Sequence, residues 1–345
     1  MRAMAVSTYG KPLELMDAPE PQLRPGHALL EVLTCGLCYS DVKTVRGKMP
    51  YSSELSLPHV PGHEVCARVV ATDPPGALKE GAIVVVYHLW PCRVCGRCRA
   101  GQDQLCSNPH GWLGFKTTGG FQERIVAPLH RLTEVPASID PVHAASLTCA
   151  LGTAYRAVTS QGRAAPGMHM VVLGLGGVGI HALQVARAAG ARVVGLDVSE
   201  KSLEAARALG LDARDNRDPT VVERILSETR GEGVDVVVDV VGHEDTVRQS
   251  EKMVRAGGRI VAVGYAVGTD FTIPSARFVL EEVELVGSRY MLLDELERAI
   301  RLVADGHVEM VVDGVWPLEG ANELIDRLEA GELVGRGVVD VAGVA

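Results

Sequence analysis

At 345 residues the chain is longer than one hydrophobic core usually supports, so two domains are expected. Hydrophobic residues make up 47%, aromatics only 4%, and there are 38 glycines, a composition that suits a Val- and Ala-rich α/β protein and excludes a disordered chain. The formal charge of −9 offers no basic field to nucleic acid or anionic lipid, and no run of apolar residues is long enough to span a membrane or serve as a leader, so a cytoplasmic protein is expected.

Short strand-like runs come first, at residues 28–33, 65–71 and 83–87, separated by turns such as Arg24-Pro25-Gly26 and Asp73-Pro74-Pro75-Gly76. They read as an irregular β domain. A cysteine-rich loop follows at 91–107, then further short strands to about residue 135. Near residue 166 the period changes. Strands are expected at 170–173 and 192–196, alternating with helices at 178–189 and 199–209, which stop at Gly190 and Gly210. Strands at 234–241, 259–263 and 283–286 continue the series, with a helix at 245–255 between them. The alternation implies a parallel sheet with helices on both faces. Two amphipathic helices, 293–304 and 318–330, and a last strand, 336–341, close the chain.

Eight cysteines in a chain of this kind are better read as thiols or metal ligands than as a disulfide framework. Cys92, Cys95, Cys98 and Cys106 have the spacing C-x2-C-x2-C-x7-C, and the short spacers let the backbone fold back around one tetrahedral ion. Four sulfurs close the coordination sphere, so such a zinc would be structural. An iron–sulfur cluster is the competing reading of the same spacing.

The expected strand 170–173 runs into Gly174-Leu175-Gly176-Gly177-Val178-Gly179, a G-x-G-x-x-G that opens a helix. Its glycines serve a tight turn, close approach of a diphosphate, and close helix–strand packing. Asp197 ends the next strand, where a carboxylate binds ribose hydroxyls and repels a 2′-phosphate, favouring NAD over NADP. The plainer reading is that Asp197 caps the turn before Ser199.

Three further segments carry potential ligands: Cys35-Gly36-Leu37-Cys38-Tyr39-Ser40-Asp41, Gly62-His63-Glu64, and Leu147-Thr148-Cys149-Ala150. With the glycine turn and the four-cysteine loop, in this order, they resemble the medium-chain zinc-dependent alcohol dehydrogenase family over essentially the whole chain. The resemblance implies a Rossmann domain at 153–287 and a GroES-like catalytic domain formed by 1–152 and 288–345. It implies a catalytic zinc held by Cys38, His63 and Cys149, with Glu64 near the metal and Asp41 orienting the histidine. Ser40 would pass the substrate proton, and Thr153, Val263 and Arg336 would join Val178 and the glycines in holding NAD. Cys35 and Cys66 match no motif and are expected in the core. Lys43 stands where many relatives end the relay with histidine, Tyr39 where many carry a base, and Leu151 where glycine is customary. Trp90 and Trp112 are candidates for an apolar pocket wall.

The expected activity is hydride transfer between NAD and a primary or secondary alcohol, or the matching aldehyde or ketone. Polyol and hydroxyacyl substrates are the alternatives, and a metal-free ene-reductase conflicts with the three ligand segments. From another class, a zinc module for nucleic acid or protein finds support in Arg93, Arg97 and Arg99 but not in the acidic charge. The resemblance also implies a homodimer or homotetramer, with residues 264–286 at the interface.

Overall fold

A computed structural model describes residues 1–265 and 268–344; Ala266 and Val267, inside the stretch expected at an interface, lie outside the described residues. The chain packs as two compact units. One comprises Met1–Cys149, Leu292–Ala304 and Val312–Ala345; the other Ala150–Met291 and Asp305–Val311.

The first unit is built on a seven-stranded sheet ordered Val312–Pro317, Arg336–Asp340, His27–Leu37, Glu64–Thr72, Ile83–Val86 and Leu132–Glu134, with Arg124–Pro128 also pairing His27–Leu37. Alternation along His27–Leu37 gives way to continuous burial from Val32 onward, where both faces are covered. Register is what matters for function. Gly36 lies opposite Glu64 on one side and opposite Val338 on the other, so three strands bring residues from the start, middle and end of the unit side by side. The core beneath them joins Leu30, Val32, Val65, Val84 and Ile125 to Leu324 and Val339.

The second unit carries six parallel strands in the order Asp212–Asp215, Arg192–Asp197, His169–Leu173, Val234–Asp239, Val254–Ala262, Glu284–Gly287. This is the doubly wound order, with its reversal beside His169–Leu173. Ligands in such sheets bind at the strand ends beside that reversal, which is where the glycine turn begins.

Most expected elements are present, with instructive differences. Helix Glu200–Ala208 is capped by the Ser199 hydroxyl, which accepts from the Ser202 N–H, and the chain leaves it through Gly210 at φ +68°. The helix expected at 245–255 spans Glu244–Met253 and stops because Val254 turns extended and opens a strand. The one expected at 318–330 divides into a 3-10 turn, Leu318–Gly320, and a helix, Ala321–Glu329. Strands Asp212–Asp215 and Val312–Pro317 and helix Val221–Glu228 were not anticipated.

Candidate functional site

In the first unit, Cys38, His63, Glu64 and Cys149 bring one donor atom each within 4.8 Å of one another. Cys38 follows the strand His27–Leu37 and caps the short helix Tyr39–Val45; His63 immediately precedes Glu64–Thr72; Cys149 follows the turn Ala145–Thr148. Asp41, fully buried, ties two of these places together. Its Oδ2 accepts from the Cys38 N–H (3.0 Å), and its Oδ1 accepts from the Gly62 N–H (3.1 Å) and from His63 Nδ1 (2.9 Å). A carboxylate only accepts here, so His63 carries its proton on Nδ1 and turns the Nε2 lone pair toward the sulfurs.

Nε2 stands 3.4 Å from Cys149 Sγ. A tetrahedral zinc, with bonds of about 2.3 Å to sulfur and 2.0–2.1 Å to nitrogen, sets its donors about 3.5–3.8 Å apart. The donor set therefore fits zinc. Electrostatics point the same way. The hydrogen bond from Cys149 holds the Cys38 thiol well below its ordinary range, with Arg336 and His63 assisting against burial, while Cys149 is pushed well above it. Burial opposes a charge on His63, but Asp41 and Cys38 outweigh it and hold its pKa well above the ordinary value.

Arg336 belongs to this cluster. Its Nε donates to Glu64 Oε1 (3.0 Å) and Oε2 (3.1 Å), and its Nη2 approaches Cys38 Sγ (3.6 Å) and Cys149 Sγ (4.0 Å). Burial pushes the Glu64 carboxyl up to about 7 against the pull of Arg336. Gly36 makes room: a Cβ there would lie 2.5 Å from Glu64 Oε2. Ser40 and Lys43 share the helix that follows Cys38, and burial lowers the Lys43 pKa.

Cys92, Cys95, Cys98 and Cys106 form the second group, also within 4.8 Å. Cys98 Sγ is 3.5 Å from Cys95 Sγ and 4.0 Å from Cys92 Sγ, again zinc-like separations. Backbone N–H groups of Cys92 and Cys95 point at the sulfurs of Cys106 and Cys92 (3.2 and 3.3 Å), and backbone donors bring the Cys95 thiol down to about 5. All eight cysteines are free thiols; Cys35 and Cys66 are fully buried and belong to neither group of donors, although Cys35 adjoins the backbone of Glu64.

Aromatic side chains adjoin the first cluster. Phe115 packs on His63 with ring centres 4.5 Å apart and planes tilted by 36°, Trp112 lies 5.0 Å from Phe115, and Tyr51 lies 4.9 Å from Trp112. His88, buried, meets His63 edge-on at 5.3 Å. Trp90 sits elsewhere, in the main core, donating from Nε1 to the Tyr87 carbonyl (3.1 Å). Of the aromatic side chains gathered here, the sequence pointed only to Trp112; Phe115 lies three residues on in the same segment, whereas Tyr51 and His88 come from separate segments that carry no such signal.

In the second unit the turn residues behave as three different glycines. Gly174 has φ +85°; a Cβ on Gly179 would lie 1.7 Å from the Gly174 carbonyl oxygen; a Cβ on exposed Gly176 would meet nothing within 4 Å. The last leaves an open face for a phosphate at the start of helix Gly179–Ala188. Asp197 accepts from the Leu175 N–H through Oδ2 and from the Ser199 N–H (2.8 Å) through Oδ1, so it does cap the turn and also braces the glycine loop. Thr153 is nearly buried in helix Ala150–Tyr155, and Val263 donates its N–H to the Asp239 carbonyl (2.8 Å). Asp239 itself was overlooked. It is buried at the end of Val234–Asp239 and accepts from the N–H groups of Val241 and Gly242 and the Thr246 hydroxyl, shaping the loop that packs on Gly174.

Residues 24–137 match the alcohol dehydrogenase GroES-like domain and residues 177–305 the zinc-binding dehydrogenase family. An alcohol dehydrogenase of Geobacillus stearothermophilus is 32% identical, with 97% of this chain and 98% of the relative covered. An NAD-dependent alcohol dehydrogenase of Sulfurisphaera tokodaii is 33% identical, covering 98% and 99%. The crystal structure of the alcohol dehydrogenase from Aeropyrum pernix superposes with a TM-score of 0.89 at 30% identity, over 99% of this chain and 100% of that one. The chain belongs to the medium-chain zinc alcohol dehydrogenase family.

Proposed function

We propose that the protein is a zinc-dependent, NAD(H)-linked dehydrogenase of primary or secondary alcohols, or of the corresponding aldehydes and ketones in reverse. The observation that carries this reading is the cluster of Cys38, His63 and Cys149 beside a Glu64 whose two oxygens are both engaged by Arg336. Three donors are thereby left for the metal and a place for substrate oxygen. The relative named NAD-dependent and the position of the Asp197 carboxylate, at the end of strand Arg192–Asp197 and against the glycine turn, support NAD.

Zinc and NAD, when bound, supply respectively a Lewis acid for the substrate oxygen and an acceptor for the hydride. The residues do the rest. Asp41 fixes the tautomer of His63, and Arg336 neutralises charge gathered on the two thiols and Glu64. The Ser40 hydroxyl passes on the substrate proton, and Lys43 lies one turn further along the same helix. Phe115 and Trp112 keep water from the reacting centre. The first unit thus acts as the catalytic domain and the second as the NAD domain, with Gly174, Gly176, Gly177, Val178 and Gly179 at the diphosphate, Asp197 at the ribose, and Thr153 and Val263 toward the nicotinamide.

Eight free thiols suit a reducing cytoplasm. No helix among the described residues is long and apolar enough to cross a membrane. Association into dimers or tetramers is supported by the edge strand Glu284–Gly287 and by Phe278, Val279 and Leu280, exposed at 53%, 67% and 81% on the preceding helix. A turnover screen of alcohols and carbonyls with NAD(H) and NADP(H) tests the reading. Reduction of NAD by an alcohol series is expected; no turnover with either cofactor in zinc-loaded protein would reject it.

A further inference from the structure

Residues 305–311 have no helix or strand of their own, yet they are firmly placed within the second unit. Val308 and Met310 are buried while Glu309 is exposed, a strand-like alternation without a strand partner. The partner is the glycine-turn helix, Gly179–Ala188. Gln184 donates from Nε2 to the Glu309 carbonyl (2.9 Å) and accepts at Oε1 from the Glu309 N–H (2.8 Å), closing a ring with one residue as a neighbouring strand would. His181, one turn earlier and fully buried, accepts at Nε2 from the Val311 N–H (3.2 Å).

The other nitrogen of His181 reaches the glycine turn. Nδ1 lies 2.6 Å from the Gly177 carbonyl. A carbonyl only accepts and an amide N–H only donates, so both partners fix the same neutral tautomer, protonated on Nδ1. In a trans peptide the C=O of Gly177 and the N–H of Val178 share a plane and point in opposite directions. Holding the carbonyl against His181 therefore aims the Val178 N–H away from the helix body, among the free N–H groups that open the helix.

We propose that His181 is a positioning residue that couples the diphosphate-binding turn to residues 305–311, with Gln184 anchoring the same segment. The inference rests on the NAD(H) reading above. Cofactor bound at the turn and order in residues 305–311 then form one linked equilibrium, so each strengthens the other.

Side-chain mimicry separates the two contacts. In the zinc-loaded full chain, His181→Asn keeps a donor near Nδ1 for Gly177, His181→Gln reaches toward Val311, and His181→Phe does neither. NADH affinity is read by fluorescence titration, and order at 305–311 by amide hydrogen exchange with and without NADH. His181→Phe is expected to weaken NADH about tenfold, about 1.4 kcal/mol and the size of one hydrogen bond, and to speed exchange at 305–311. His181→Asn should return affinity to within about threefold of wild type. NADH should slow exchange at 305–311 in the wild type. Should His181→Phe not fold, Gln184→Met must speed exchange at 305–311 and weaken NADH; faster exchange with unchanged affinity overturns the coupling. Folded His181→Phe with wild-type NADH affinity removes this inference alone, whereas wild-type protein that binds no NADH removes the NAD(H) reading as well.

Discussion

Arg336 and Glu64, 272 residues apart, meet inside the metal cluster with the Arg336 Nε donating to both carboxylate oxygens. Both are buried, with Glu64 0% and Arg336 6% exposed. Removing one partner of such a pair strands a buried charge, a loss of about 3–5 kcal/mol. Arg336→Met should therefore destabilise strongly, and Glu64→Gln combined with Arg336→Met should cost at least about 1 kcal/mol less than the sum of the single changes. Urea unfolding of all four proteins measures the coupling.

Cys95→Ser should reduce zinc from about two ions per chain to about one, because four-sulfur coordination has no spare donor. Elemental analysis gives the number directly. The remaining ion should belong to the Cys38 cluster, so NADH-linked turnover should persist in protein kept below its lowered melting temperature. Iron in the wild-type protein would reject the zinc assignment.

Asp197→Gly should raise the ratio of kcat/KM for NADP over NAD about tenfold or more, by deleting a carboxylate that repels the 2′-phosphate. The same change leaves the Leu175 and Ser199 N–H groups without their acceptor, a cost of about 1–3 kcal/mol. Both effects must appear together in kinetics and thermal unfolding. A lower melting temperature with an unaltered ratio would make Asp197 a brace only.

The two tryptophans should part company. Trp90→Ala opens a hole in the main core and should cost about 3–5 kcal/mol while leaving the order of substrates unchanged. Trp112→Ala, in the aromatic group that touches His63 through Phe115, should change the KM ranking of bulky against small alcohols.

The motifs were legible because each is local: a glycine turn between a strand and a helix, cysteines two residues apart, a histidine in a Gly-His-Glu run. What escaped is long-range or polar. Nothing near Arg336 reveals that Glu64 will be its partner; that follows from the register placing Gly36 between Glu64 and Val338. Strand Asp212–Asp215 reads Asp-Ala-Arg-Asp and carries no apolar alternation, because it is an edge strand whose Arg214 pairs with Asp212 and Glu228. Residues 305–311 show only a short alternation, Val308-Glu309-Met310, and their tie to the glycine-turn helix is unreadable from it, since side chains of that helix supply their hydrogen bonds.

Stability should fall between about pH 6.5 and 4 partly through His130. Partial burial, then Arg131, Arg93 and His27, hold its pKa down to about 4. Across that window the unfolded chain binds a proton that the folded chain refuses, so acid favours unfolding. His130→Asn should melt closer to, or above, the wild type at pH 5 than at pH 7; parallel curves would remove His130 from the balance.

Asp41 holds Cys38, Gly62 and His63 with three hydrogen bonds that do not involve a metal. The mould for the ion is consequently cast by the protein, which makes the ion replaceable. Cobalt exchanged into the folded enzyme should be held by the same Cys38, His63 and Cys149 donors and colour the protein, giving a visible reporter of what enters beside Phe115.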